Sequence, residues 1–346
     1  MNNNTNESKK VTSKKRVLKW TLISILIVVL IIACYGAYVF IKVKGALDNT
    51  TTDIGRKGDK SELREEALTF GKDPISILLL GVEEYTSKNK NGRADTQIIL
   101  TLDPNNNEIN MITVPRDTRV HIENAGEYTG IHKINAAYSY GSITGYGAVK
   151  LQMETVEKLL DIPIDYYITV NFDGFRDIVD ALGGVTIDVK KDFWEKNFYT
   201  NEKIEFKQGE QHLSGEEALA FVRMRKRAVD ASYSRDERQR QFLEATVDQL
   251  ISAGTIFKVG KITDILGKNV KTDLTASQIY ALQKRYLKSE NLSIQSTEIQ
   301  GEDQIIDGSS YFVADETSLK ELSQKIRGIL KLDPTENFTT NADFVQ

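Results

Sequence analysis

GRADTQIILTLDPNNNEINMITVPRDTRV, residues 92–120, decides the fold. Thr96–Leu102 is apolar and rich in Ile and Thr, which predicts a strand. Asp103-Pro-Asn-Asn-Asn-Glu108 is dense in turn formers, and Ile109–Val114 predicts a second strand. A hairpin turning near Asn105–Asn106 pairs residues whose numbers sum to about 211. Both strands are mostly apolar, so both should be buried. Asp95 then faces Arg116, with Arg93 close by and Asp117 next in the chain. Two arginines and two acids at the open end of a buried hairpin suit an anion or metal–anion site, or equally a structural salt bridge.

The surroundings of the hairpin predict a mixed α/β domain. Ile75–Val82 (ISILLLGV) is a continuous apolar run, expected as a strand buried on both faces, and leads into Glu83-Glu84. After the hairpin, Ala148–Leu160 carries Val149, Met153, Val156, Leu159 and Leu160 at helical spacing. Tyr166–Phe172 reads as a strand. Asp173–Leu182 reads as an amphipathic helix stopped by Gly183-Gly184, and Val185–Val189 as another strand. This alternation gives a central mixed β-sheet with helices on both faces. Residues 191–214 form an excursion. Ser214 and Glu217 then make a capping box for a helix that runs into Arg223-Met-Arg225. Two arginines at that spacing share one face only if the backbone is extended there. Arg235–Ile251 predicts a strong helix with Arg235, Arg238, Gln239 and Phe242 on one stripe, facing either a site or solvent. Residues 255–332 add a helix at 276–288, strands near 292–299 and 310–314, and a last helix near 317–330.

Charge and hydropathy place this domain outside a cell membrane. Residues 1–19 form a basic cytoplasmic tail, and Trp20–Ile41 runs 22 residues without a charge. Such a helix spans roughly 33 Å, enough to cross a bilayer. The basic cluster precedes it, so a single-pass type II topology with an extracytoplasmic main domain is expected. A cleaved signal peptide, or a lipoprotein site at Ile31-Ile32-Ala33-Cys34, would leave the main domain outside as well. Residues 42–73 are expected as a stalk, with a short helix around Glu62–Leu68. Residues 74–332 are the domain (core about 74–250, extension 255–332), and 333–346 a flexible tail. The first 44 residues carry +7 against a whole-chain charge of −4, so the remainder holds −11. Arginines clustered on that acidic background suit a specific anion site rather than a nucleic-acid surface. The lone Cys34 excludes an intrachain disulfide and a cysteine zinc site, and His121, His132 and His212 show no metal spacing.

Nine motifs in order resemble the LytR–CpsA–Psr family, over about Asp73–Leu250. They are Leu80-Gly-Val-Glu83, Gly92-Arg-Ala-Asp-Thr96, Val114-Pro-Arg-Asp117, Lys133-Ile-Asn135, Asp165–Phe175, Ile178–Val185, Leu213–Ala220, Arg223-Met-Arg225 and Arg235–Gln239. The carboxy-terminal part is similar to the teichoic acid transferase branch. The resemblance implies a membrane-anchored enzyme that moves an anionic glycopolymer from a polyprenyl-diphosphate carrier to a peptidoglycan sugar hydroxyl. Carried over by position, Arg93, Arg116, Lys133, Arg223, Arg225, Arg238 and Gln239 surround the diphosphate. Arg116, Arg223 and Arg225 carry the catalysis, Glu83 and Asp95 hold Mg2+ (or Mn2+), and Asp117, Asp230 and Arg235 support them. The chemistry agrees: phosphoryl transfer asks for positioning and charge neutralisation, which guanidinium forks and a carboxylate-held cation supply. An apolar slot for the lipid is expected near Ala148–Leu160 and Phe175–Leu182. Two departures stand out. Glu83 replaces the family's usual Asp, and the loop Ala228–Ser234 replaces a Gly-Asp pair, which leaves the general base unassigned. A lipid-diphosphate hydrolase and a non-catalytic wall-polymer-binding module are the competing functions.

Overall fold

The computed structural model describes residues 54, 60–83, 92–224, 233, 235–252, 269–286, 292–334 and 337–345. The Trp20–Ile41 span lies outside them, and no helix among the described residues is long and apolar enough to cross a membrane.

The first strand, β1 (Ile75–Glu83), pairs antiparallel with β2 (Arg93–Asp103), which turns into β3 (Glu108–Thr113). The hairpin register is the one the sequence predicts: Ile98 faces Thr113 and Asp103 faces Glu108. Asn107 closes the turn at φ 49, a left-handed conformation that asparagine tolerates. A small ribbon of β4 (Arg119–Ile122) and β5 (Gly130–Lys133) follows, then α1 (Ala136–Thr144) and α2 (Ala148–Leu160). Lys133 is still paired with Arg119, so the helix begins only at Ala136. Next come β6 (Tyr166–Asn171), parallel to β1, and α3 (Phe172–Leu182), whose N-cap Asn171 accepts from the Gly174 N–H at 2.8 Å. The strand β7 (Val185–Val189), the hairpin β8 (Phe193–Lys196) and β9 (Lys203–Phe206), and β10 (Gly209–Leu213) lead to α4 (Gly215–Arg223). The capping box at Ser214 and Glu217 forms as expected.

The rest comprises α5 (Arg235–Ser252), β11 (Val270–Thr272), α6 (Ala276–Tyr286), β12 (Ser293–Glu298), the hairpin β13 (Gly301–Ile306) and β14 (Ser309–Ala314), and α7 (Glu316–Ile329). Strand order in the central sheet is β11-β6-β1-β2-β3-β12, with β1–β6 and β3–β12 parallel, so the sheet is mixed. Alternation along the strands divides the core. Leu78, Leu80, Ile99 and Ile112 pack with α1, α2 and α7, whereas Ile77, Ile98 and Met111 pack with Leu243, Leu274, Ile279 and Tyr286 on and beside α5 and α6. Helices thus cover both faces. A third cluster, beside the sheet, joins α3, α4 and β7–β10 through Val179, Ile187, Phe193, Phe206 and Phe221.

Two expectations are corrected at the edges of the domain. Residues 62–68 form turns rather than a helix, because Arg64 is drawn inward. Its Nε and Nη2 donate to the two Asp165 oxygens at 3.0 and 2.7 Å, and Nη2 also reaches the Pro74 carbonyl at 3.0 Å. The 337–345 segment is likewise ordered against the domain. Phe338, Ala342 and Phe344 pack on the main core, the His121 N–H donates to the Asn341 carbonyl at 2.8 Å, and Arg119 pairs with Asp343 at 3.1 Å.

The Arg64–Asp165 pair is buried on both sides. Removing one partner strands the other charge out of water, which costs about 3–5 kcal/mol. Arg64→Met should therefore lower the unfolding free energy in urea by about that amount; a loss under about 1 kcal/mol would contradict the pairing.

Candidate active site

The site lies where parallel β1 and β6 end, the usual ligand position of an α/β sheet. Val82 pairs with Asn171 there, so Glu83 emerges beside Phe172. A bulge between Gly81 and Val82 shifts the β1–β2 register and sets Glu83 opposite Arg93. Only glycine fits at 92, since a Cβ there would stand 2.6 Å from the Glu83 carbonyl oxygen. The backbone thus crosses close behind the acid.

The hairpin's open end carries a chain of ion pairs. Arg116 Nη1 donates to Asp95 Oδ1 at 2.7 Å, its Nε lies 3.5 Å from Asp117 Oδ2, and Asp117 Oδ1 takes Lys133 Nζ at 3.0 Å. Asn135 Nδ2 also donates to Asp95 Oδ1 at 3.0 Å. This geometry follows from the loop after β3. Pro115 ends the strand, its carbonyl accepts from the Thr118 N–H at 3.0 Å, and the carbonyls of Arg116 and Thr118 accept from the Asn135 and Ile134 N–H groups. The carboxy-terminal hairpin closes the same loop from outside. Phe312 N–H donates to the Asp117 carbonyl at 2.9 Å, and the Tyr311 ring lies under both Arg119 (5.1 Å) and Lys133 (5.7 Å).

Arg223 reaches the same place from the end of α4. Met224 leaves the helix at φ −52, ψ 129, so the chain is already extended there. The Arg223 guanidinium lies 4.7 Å from the Phe172 ring centroid and 4.2 Å from that of Phe198. Burial lowers its pKa, while the charges of Glu83, Glu195 and Asp95 oppose that shift. Burial raises the Glu83 pKa, as do the charge of Asp95 and a direct side-chain contact with it; Arg223 and Arg116 offset this in part. Two carboxyl groups held together at the price of mutual repulsion, with one Asp95 oxygen already filled by Arg116 and Asn135, suit a divalent cation. No group of three or more His, Cys, Asp or Glu side chains suited to a metal occurs among the described residues. Mg2+ fits such a donor set, because it keeps water and phosphate oxygens as its other ligands.

The structure thus brings Glu83, Asp95, Arg116, Asp117, Lys133 and Arg223 together. Arg93 is exposed at the rim. Arg238 is corrected from diphosphate ligand to internal clamp. It is 2% exposed, and its guanidinium donates to the carbonyls of Phe221 (3.0 Å), Tyr233 (2.6 Å) and Met224, the freed end of α4. Those bonds commit its donors to the backbone that aims Arg223. Gln239, also buried, lies next along α5. Arg225 and Asp230 lie outside the described residues, as does the side chain of Arg235. Sequence reasoning gave no role to Asn135, Phe172, Phe198 or Tyr311. The first two lie inside quoted motifs, whereas nothing local marks the other two.

The LytR_cpsA_psr family model matches residues 37–328. The polyisoprenyl-teichoic acid–peptidoglycan teichoic acid transferase TagV of Bacillus subtilis (strain 168) is 39% identical over 324 residues, covering 92% of this chain and 81% of the relative. The B. subtilis TagV crystal structure gives a TM-score of 0.66 at 40% identity, over 76% of this chain and 99% of that one. A structure of the LytR-CPS2A-psr family protein YwtF (TagT) with bound octaprenyl pyrophosphate lipid gives 0.63 at 28% identity, over 80% and 98%. On motifs, fold and similarity along most of its length, the chain belongs to the LytR–CpsA–Psr family.

Proposed function

We propose that this chain is a transferase that moves an anionic glycopolymer of the teichoic acid type from a polyprenyl-diphosphate carrier to a peptidoglycan sugar hydroxyl. The observation that carries the reading is the convergence of Arg116 and Arg223 on the Glu83–Asp95 pair, with Lys133 added through Asp117. TagU and TagV relatives are named for this transfer, and TagT binds a prenyl pyrophosphate. Trp20–Ile41 would anchor the chain, with the domain on the outer side.

The acceptor hydroxyl oxygen attacks the phosphorus that bears the polymer, and its proton ends on the departing phosphate or in water. The bond from that phosphorus to the bridging oxygen breaks, polyprenyl phosphate leaves and a phosphodiester forms. Arg116 and Arg223 offer guanidinium forks to the non-bridging oxygens and to the charge growing on the leaving phosphate. Asp95 holds Arg116 in line, and Asp117 orients Lys133 as a further cation at the rim. Glu83 and Asp95 would hold Mg2+ or Mn2+, which neutralises diphosphate charge when bound. Phe172 keeps water from one side of Arg223, where ionic attraction is then stronger.

The reading is tested with a synthetic lipid-diphosphate saccharide, peptidoglycan oligomers and Mg2+, followed by mass analysis of the products. The expected product is a phosphodiester-linked adduct. Free saccharide phosphate formed equally with and without acceptor would instead identify a hydrolase, and binding with no product a non-catalytic module. Arg116→Ala should keep its melting temperature within about 2 °C yet lose at least about 100-fold in turnover. Arg238→Met should lower the melting temperature, since it orphans buried carbonyls at about 1–3 kcal/mol each. Unchanged turnover in the first variant, or an unchanged melting temperature in the second, would contradict these roles. Glu83→Gln should weaken Mn2+ binding, read by electron paramagnetic resonance, by about 10-fold or more, because one of two carboxylates is lost; unaltered binding would place the cation elsewhere.

A further inference from the structure

The excursion between β7 and α4 has no part in the reaction described above, yet it ends on the site. Its base is apolar. Phe193 and Phe206 stack across the β8–β9 hairpin at 4.5 Å, and both lie 5.6 Å from Phe221 of α4. Its tip, residues 197–202, is wound around Asn197. The Asn197 Oδ1 accepts from the N–H groups of Tyr199 (2.8 Å) and Thr200 (3.1 Å), and its backbone N–H donates to the Glu202 carbonyl at 2.7 Å.

Two ties fasten this tip to the helices on either side. The Asn197 amide donates to Glu216 of α4. Tyr199 OH donates to Asp173 of α3 at 2.7 Å, and Arg176 of α3 lies 4.7 Å from the Tyr199 ring. Between the ties stands Phe198. Its ring meets that of Phe172 at 5.2 Å and 86°, so the two rings form a corner rather than a stack. The Arg223 guanidinium sits in that corner. An arginine side chain has several soft torsions, and ordering it costs rotamer entropy. A two-ring corner holds the group by cation–π attraction and leaves its hydrogen-bond donors unspent, whereas a carboxylate partner would occupy the donors that a phosphate needs.

We propose that the β8–β9 hairpin is a strap whose Phe198 is a positioning residue: it completes the aromatic corner that aims Arg223 at the diphosphate pocket. Phe198 acts through Arg223 and needs no contact with substrate. The inference rests on the transferase reading, from which it takes Arg223 as a diphosphate ligand.

The test uses the full-length chain in detergent, with geranyl diphosphate plus Mg2+ as binding probe and the lipid-diphosphate saccharide as donor. Phe198→Leu keeps bulk but removes the π face, whereas Phe198→Trp strengthens it. The leucine variant should bind the probe about 10-fold more weakly and lose at least as much in kcat/KM, with its melting temperature within about 2 °C of the parent. The tryptophan variant should stay within about 3-fold of the parent on both readouts. In an Arg223→Ala background, Phe198→Leu should change probe binding by less than about 2-fold, because the group it positions is gone. Full binding and turnover in Phe198→Leu would overturn the strap, as would equal losses in the leucine and tryptophan variants or an undiminished loss in the Arg223→Ala background. A parent chain that neither binds geranyl diphosphate nor turns over the donor would overturn the transferase reading itself, and the strap with it.

Discussion

Everything at the site is referred to one ion pair, Arg116 to Asp95, across the open end of the β2–β3 hairpin. The sheet fixes its two halves independently. The bulge in the β1–β2 pairing leaves Asp95 out of register with its side chain against Glu83, and the loop after Pro115 puts Arg116 over Asp95. Without the arginine, the two carboxyl groups would keep only Arg223 and the Asn135 amide to offset them; without Asp95, Arg116 would lose the group that points it inward. Opposite charges are thus stored side by side. Such an arrangement is poor as a stability device, since partly exposed pairs contribute little. As a receptor for a diphosphate with its cation it is well matched, because the ligand brings both missing charges.

Remote parts of the chain meet here. Arg223 arrives from the end of α4, whose last carbonyls are taken up by Arg238 of α5. Lys133 arrives from the β4–β5 ribbon, backed by Tyr311 from the carboxy-terminal hairpin. The extension beyond residue 255 is therefore structurally part of the site's wall: Phe312 bonds the Asp117 backbone directly.

What was legible in the sequence was local or periodic. The hairpin register follows from a turn of fixed length between two apolar runs, and the Ser214 capping box from a spacing of three. The Asp95–Arg116 contact follows from that register. The Arg235–Phe242 stripe showed that Arg238 shares a face with Phe242, but not that the end of another helix would meet it. Phe198 sits in a polar excursion where nothing local distinguishes an anchored tip from a free one. The tail beyond Pro334 reads as loose from its polarity, yet Phe338, Ala342 and Phe344 pack it on the core. Arg64 looked like one charge among several in a polar stretch; its buried partner stands a hundred residues away and becomes visible only through the sheet.

The most direct measurement is a crystal structure of the chain with geranyl diphosphate and Mn2+, recorded at the manganese absorption edge. The account expects an anomalous peak between the Glu83 and Asp95 carboxyl groups, with diphosphate oxygens bonded to Arg116 and Arg223 together. Diphosphate bound away from those two arginines, or manganese away from the two acids, would contradict it.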